Sequence, residues 1–200
     1  MTLSLTAIGE IPSGRAIRRS GAVVGDDIWL SGTVGDAALA LTLMEHDGTA
    51  VLENDYPRLL ARYRLPEPRT LLGPALIGVA TAMADVSDGL LADLGHICDG
   101  SGTGARIIYA NLPLSEAATA LFERTPAKKE AYVQRVVTGG DDYELLFTAA
   151  PAASGEIERS GMQCGTRVTR IGQVEEAPGV RAVASDGTEI AVTAGGWRHF

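Results

Sequence analysis

Two short acidic turns hold the residues with the clearest chemical potential. The first is Asp85-Val86-Ser87-Asp88-Gly89, where an apolar strand pattern from Ala82 to Val86 gives way to a helical one. On an ideal strand these two carboxylates point to opposite faces, but a turn between them can bring both to one side. A pair of hard oxygen ligands at a strand end suits Mg²⁺, which takes a few carboxylates together with waters and substrate phosphate. The helix that follows offers its free N–H groups to an anion. A structural role competes with this: Asp88 as the helix cap and Ser87 closing a local turn. Capping leaves Asp85, a carboxylate in an otherwise apolar strand, unexplained. The second turn is Gly139-Gly140-Asp141-Asp142-Tyr143-Glu144. Paired glycines allow a close backbone approach to a ligand, and clustered acids repel unless a cation or donor compensates. The competing reading is a solvent-exposed turn entering a strand. Arg18-Arg19 could hold a phosphate or simply be solvated. Trp197 could stack on a flat ring or anchor the carboxyl end.

Around these turns the pattern predicts alternating elements. Residues 2–8 alternate polar and apolar as a half-buried strand, and residues 14–25 read as a loop. Further strands are expected over 27–31, 82–86, 106–110, 143–148, 168–173 and 189–192. Helices are expected over 37–44, 53–63, about 70–80, 90–98, 114–123, 128–136 and 152–160. Pro66 and Pro68 force residues 65–69 to be extended. The alternation lacks strict βαβ regularity and favours an α+β class.

Composition narrows the function classes. The chain has 200 residues, 46% of them hydrophobic, and so can bury a substantial core. Its net charge of −8, with no basic run longer than Arg18-Arg19, argues against nucleic acid as a partner. No apolar run reaches the length of a membrane span and no signal peptide is recognisable, which predicts a cytoplasmic protein with no membrane partner. Cys98 and Cys164 lie far apart and are expected to stay reduced. His46, His96 and His199 share no ligand spacing, so the sequence gives no support for a zinc site. Phosphate-loop, serine-hydrolase-elbow and dinucleotide-fingerprint motifs are all missing.

Taken in order, the segments resemble the carboxyl-terminal portion of the bacterial thiamine-monophosphate kinases. The resemblance rests on Asp85 through Ile97 (DVSDGLLADLGHI) and Gly139 through Phe147 (GGDDYELLF), supported by Arg18-Arg19-Ser20-Gly21-Ala22, Pro66-Glu67-Pro68-Arg69 and Gly196-Trp197. It implies the carboxyl-terminal fold of the aminoimidazole ribonucleotide synthetase-like superfamily: α+β, a mixed sheet with helices on one face. It also implies transfer of the γ-phosphoryl group of ATP to thiamine monophosphate, giving thiamine diphosphate. Under it, Asp85 and Asp88 are Mg²⁺ ligands, Ser87 and Arg19 contact ATP, and Asp141 and Trp197 contact the thiamine substrate. No side chain is implied as a general base, because the attacking phosphate oxygen is already anionic. The family is longer at its amino end, where further magnesium carboxylates and the homodimer interface lie. Residues 1–20 are therefore expected to be a remnant strand and linker of that domain, and residues 21–200 the carboxyl-terminal domain, folded but catalytically poor by itself. Two alternatives remain open at this point: another ATP-using enzyme of the superfamily, and a non-catalytic ligand-binding remnant.

Overall fold

The computed structural model describes residues 4–184 and 186–190. Its first element is β1 (Asp27–Ser31), followed by the helices α1 (Asp36–Asp47), α2 (Thr49–Asp55), α3 (Pro57–Arg64) and the one-turn α4 (Leu72–Ala75). Then come β2 (Ala82–Asp85), α5 (Leu90–Ser101), β3 (Gly104–Ile108), α6 (Glu116–Arg124) and α7 (Lys129–Thr138). The chain continues through β4 (Leu145–Ala149), α8 (Ser154–Gln163), β5 (Val168–Glu175) and β6 (Gly179–Val183). The six strands form one sheet in the order β2-β4-β1-β5-β3-β6, antiparallel except for the parallel pair β3–β6. This is the expected mixed sheet of an α+β fold.

Central position explains the composition of β1. It pairs with β4 on one side and β5 on the other, and all five of its residues are buried. Ile28 and Leu30 enter the main core with Leu39 of α1, Leu59 of α3, Leu94 of α5 and Val136 of α7. Trp29, between them, points to the opposite face. There it stacks on Phe147 with ring centroids 6.5 Å apart and joins Leu72, Leu76 and Ile157. The expected helix layer thus covers one face, and α4 with α8 forms a smaller layer on the other.

Several expectations are corrected. Among the described residues, 4–24 carry no helix or strand, so the predicted opening strand is not formed over 4–8. Leu5 and Ile8 are more than nine-tenths exposed. Alternation gives a segment strand propensity, but a strand also needs a neighbour to take its backbone hydrogen bonds. The helix expected over 53–63 is two helices, because Pro57 has no N–H to continue α2 and instead starts α3. The segment 70–80 holds only α4 and turns. Of the strand expected over 189–192, Glu189 forms a single bridge to Val183, Ile190 lies outside any strand, and the rest falls outside the described residues. The strand that does form nearby, β6, was not expected. Its partner β3 lies some seventy residues earlier, and no local pattern reports a pairing of that range.

Candidate functional site

The two acidic turns meet. β2 ends at Asp85, opposite Leu145 of β4, and beyond that pair the chains stay together. Val86 N donates to the Glu144 carbonyl at 2.9 Å, Tyr143 N to the Val86 carbonyl at 2.9 Å, and Asp141 N to the Ser87 carbonyl at 3.1 Å. A Cβ on Gly140 would lie 1.9 Å from the Ser87 carbonyl oxygen, and one on Gly89 would lie 2.4 Å from that of Thr138. Gly89 and Gly140 therefore serve the contact between the two segments, whereas Gly139 makes room for Ala38 of α1 and the Arg135 carbonyl. The close approach read from the sequence as an approach to a ligand is an approach to backbone.

Asp93, in the first turn of α5, organises the first bend. Its buried Oδ2 accepts from the backbone N–H groups of Ser87 (2.9 Å), Asp88 (3.0 Å) and Gly89 (3.2 Å). Burial pushes the Asp93 carboxyl up, and the three amides pull against that shift. The N–H groups of the bend, which lead into α5, are thus taken by a side chain of that helix. Gly89 occupies the cap position with no side-chain cap bond, so the capping role considered for Asp88 is not realised.

The three acids of the second turn have three different fates. Glu144 is fully buried and accepts from Arg62 Nη2 (2.9 Å), Arg69 Nη2 (2.5 Å), Arg69 Nε (2.6 Å) and Ser31 Oγ (2.6 Å). Asp142 is buried against the start of α1, accepting from Gly35 N at 2.6 Å and Ala37 N at 3.4 Å. Asp141 alone remains exposed. It has φ 68°, and its Oδ1 accepts the hydroxyl of Tyr143 at 3.1 Å; Tyr143 itself has φ 51°. Backbone in the left-handed region is strained for a residue as bulky as tyrosine and is found where surrounding structure over-determines it. The Tyr143 phenol is pushed up by burial, by its bond to Asp141, and by the charges of Asp141, Asp85 and Asp88. One ring thus senses all three carboxylates, and they form an acidic rim around it.

Burial of Asp142 has a consequence for stability. Desolvation pushes its carboxyl from the ordinary 3.8 up to about 7, with Asp36 adding to the rise and the Gly35 and Ala37 amides and Arg62 opposing it. Between these values the folded chain holds a proton that the unfolded chain releases. The contribution of Asp142 to stability therefore falls as pH rises from about 4 to about 7 and stays lost above that. Urea midpoints across this range are expected to decline less in Asp142→Asn than in the unchanged protein. Parallel pH curves would contradict this.

Of the residues singled out in the sequence, Asp85, Ser87, Asp88 and Asp141 are brought together. Asp85 and Asp88 are half-buried, and among the described residues their carboxylates have no hydrogen-bond or ion-pair partner. An all-oxygen, uncompensated donor set fits a hard cation such as Mg²⁺. Arg19 is not part of this group. Its carbonyl lies beside Gly100 in the last turn of α5, its neighbour Arg18 accepts from Met83 N, and among the described residues the exposed Arg19 guanidinium makes no hydrogen bond or ion pair. Trp197 lies outside the described residues. Sequence reasoning missed Asp93; the residue pattern did not separate Asp141 from Asp142 and Glu144, and only the family resemblance singled Asp141 out. A usable signal for Asp93 existed: it is an acid on the buried face of α5, in register with Leu90, Leu94 and Ile97. A hollow of about 700 Å³ lies beside Arg58, Arg62 and Arg69, and none of the rim carboxylates lines it.

Residues 23–185 match the family described as AIR synthase related protein, C-terminal domain. The chain belongs to this family. Within it, this AIR synthase related chain is 38% identical over 201 residues to the thiamine-monophosphate kinase of Salmonella typhimurium, covering 100% of this chain and 60% of that protein. The crystal structure of thiamine-monophosphate kinase from Stenotrophomonas maltophilia superposes with a TM-score of 0.79 at 41% identity, covering 89% of this chain and 55% of that one. AaThiL complexed with AMPPCP and TMP superposes with a TM-score of 0.71 at 33% identity, covering 92% of this chain and 54% of that one. The chain thus spans somewhat more than half the length of the relatives it matches. Among the described residues, no helix is long and apolar enough to cross a membrane.

Proposed function

We propose that this chain forms the carboxyl-terminal part of the catalytic site of a thiamine-monophosphate kinase, a cytoplasmic homodimer that uses ATP and Mg²⁺. The observation that carries the reading is the junction of the two turns, which sets the unpaired carboxylates of Asp85 and Asp88 beside the exposed Asp141. The relatives' names and the AMPPCP and TMP complex of AaThiL support the choice of substrates. In the reaction, an anionic oxygen of the thiamine phosphate bonds to the γ-phosphorus of ATP. The bond from that phosphorus to the β,γ-bridging oxygen breaks, and ADP leaves. Two polyphosphates that repel one another must be brought in line, so positioning and charge screening supply most of the catalysis.

Asp85 and Asp88 would hold Mg²⁺, and the bound ion would supply charge screening to the phosphate oxygens. Ser87 lies between them with its backbone N–H fixed by Asp93, leaving its hydroxyl for the nucleotide. Arg19 is the proposed second nucleotide contact, reaching it by movement of a side chain that has no partner among the described residues. Asp141 offers a carboxylate to the cationic thiamine, its orientation set by the Tyr143 hydroxyl, and Trp197 stacks on a ring of the substrate. No general base is needed.

Calorimetry with thiamine monophosphate, with ATP and Mg²⁺, and with other phosphorylated substrates of the superfamily tests the assignment. Binding of both thiamine monophosphate and magnesium–ATP is expected. Binding of neither would identify a non-catalytic remnant, and ATP binding without thiamine monophosphate would point to another enzyme of the superfamily.

A further inference from the structure

The histidines argued against a transition-metal site because no two share a ligand spacing, but the fold supplies carboxylates to one of them. Asp88, Asp93 and His96 each present a ligand atom, and the three atoms lie within 4.8 Å of one another. Asp93 and His96 are three residues apart on α5 and so share one face of it. This carboxylate-x-x-His spacing is the one that helical metal sites use.

A second, independent observation concerns Asp93. The residue is 1% exposed, and its Oδ2 is saturated by the three amides of the first bend. Its other oxygen, Oδ1, is buried and has no hydrogen-bond partner. A buried carboxylate oxygen without a donor is unfavourable, and so it marks a place where a partner belongs. The amides on Oδ2 also fix the carboxylate in the way outer-shell donors orient a metal ligand.

We propose that Asp88, Asp93 and His96 form a site for a divalent transition ion of the Zn²⁺ class, distinct from the all-oxygen site of Asp85 and Asp88. The imidazole draws the distinction, since nitrogen ligands suit Zn²⁺ and its neighbours, whereas Mg²⁺ prefers oxygen alone. Three protein ligands leave a fourth position open for water or a substrate oxygen. His96 is exposed and provides the entry path. Asp88 has two carboxylate oxygens and can face both sites, so the ion would sit beside the proposed phosphoryl-transfer centre.

The test is a calorimetric titration of the protein with Zn²⁺ in saturating Mg²⁺ and without nucleotide, which makes it independent of the kinase reading. One Zn²⁺ per chain is expected. His96→Ala should weaken it at least about tenfold, while His46→Ala, His199→Ala and Asp85→Ala leave it within about twofold. Asp93→Asn should weaken binding as His96→Ala does, with an unchanged circular-dichroism spectrum. Co²⁺ in place of Zn²⁺ should give a visible absorption band that His96→Ala removes. The proposal is overturned if Zn²⁺ does not bind over Mg²⁺, if His96→Ala binds it unchanged, or if His46→Ala or His199→Ala weakens it equally. Loss of turnover in Asp85→Ala with intact Zn²⁺ binding would separate the two sites.

Discussion

Glu144→Ala is expected to lower folding stability by about 3–5 kcal/mol, because it removes the buried carboxylate that two largely buried guanidinium groups share and leaves Arg62 the Asp142 carbonyl and Arg69 the exposed Glu67. Arg62 and Arg69 are only 14% and 15% exposed in their side chains, and Glu144 is completely enclosed. Arg69 grips the carboxylate through two nitrogens, and its own pKa is raised chiefly by that bond. Ser31 donates to Glu144 and accepts from Leu145 N, so the carboxylate also ties β1 to the start of β4. A Cβ on Gly32 would lie 2.1 Å from Glu144 Oε1, which shows how tightly backbone is drawn around the group. Glu144→Gln keeps the shape and an acceptor oxygen, so its cost should fall nearer about 1–3 kcal/mol. Urea unfolding of the two variants measures the difference. A loss below about 1 kcal/mol in Glu144→Ala would mean that the arginines regain water on unpairing and that the network is peripheral.

The same network shows what could and could not be read from the sequence. The bends themselves were legible, because glycines and acids at a change of hydrophobic period carry a local signal. Their internal division was not. Asp141, Asp142 and Glu144 look alike as neighbours in a string, and only long-range partners tell them apart: α1 for Asp142, and Arg62, Arg69 and Ser31 for Glu144. Pro66 and Pro68 lie outside any helix or strand, and their role is clear only from Arg69, which that segment leads back to Glu144. The fold class followed from alternating periods, whereas β6 and the unformed opening strand depended on which distant backbone is available to pair. Local pattern is silent on that.

In an enzyme that also carries the family's amino-terminal domain, Asp85→Ala and Asp88→Ala should each reduce thiamine diphosphate formation by more than about a hundredfold, since even outer-shell partners of a metal cost 10–100-fold when lost. Stability should hold or rise slightly. Neither carboxylate has a partner among the described residues to lose, and removing one lowers the negative charge gathered at the junction. That combination separates a ligand from a structural acid. A cap residue would give the opposite pattern, a loss of about 1 kcal/mol with activity kept, and the bond that a cap requires is not made here. Turnover should not be restored by raising Mg²⁺ if the remaining ligands cannot place the ion in line. Mn²⁺ binding in the presence of ATP, followed by electron paramagnetic resonance, gives a readout that does not depend on turnover. Both variants should lose it while Asp141→Asn retains it and instead raises the KM for thiamine monophosphate. Variants with normal activity, or with lost activity and a collapsed fold, would remove these carboxylates from the metal site and with them the support for phosphoryl transfer at this rim.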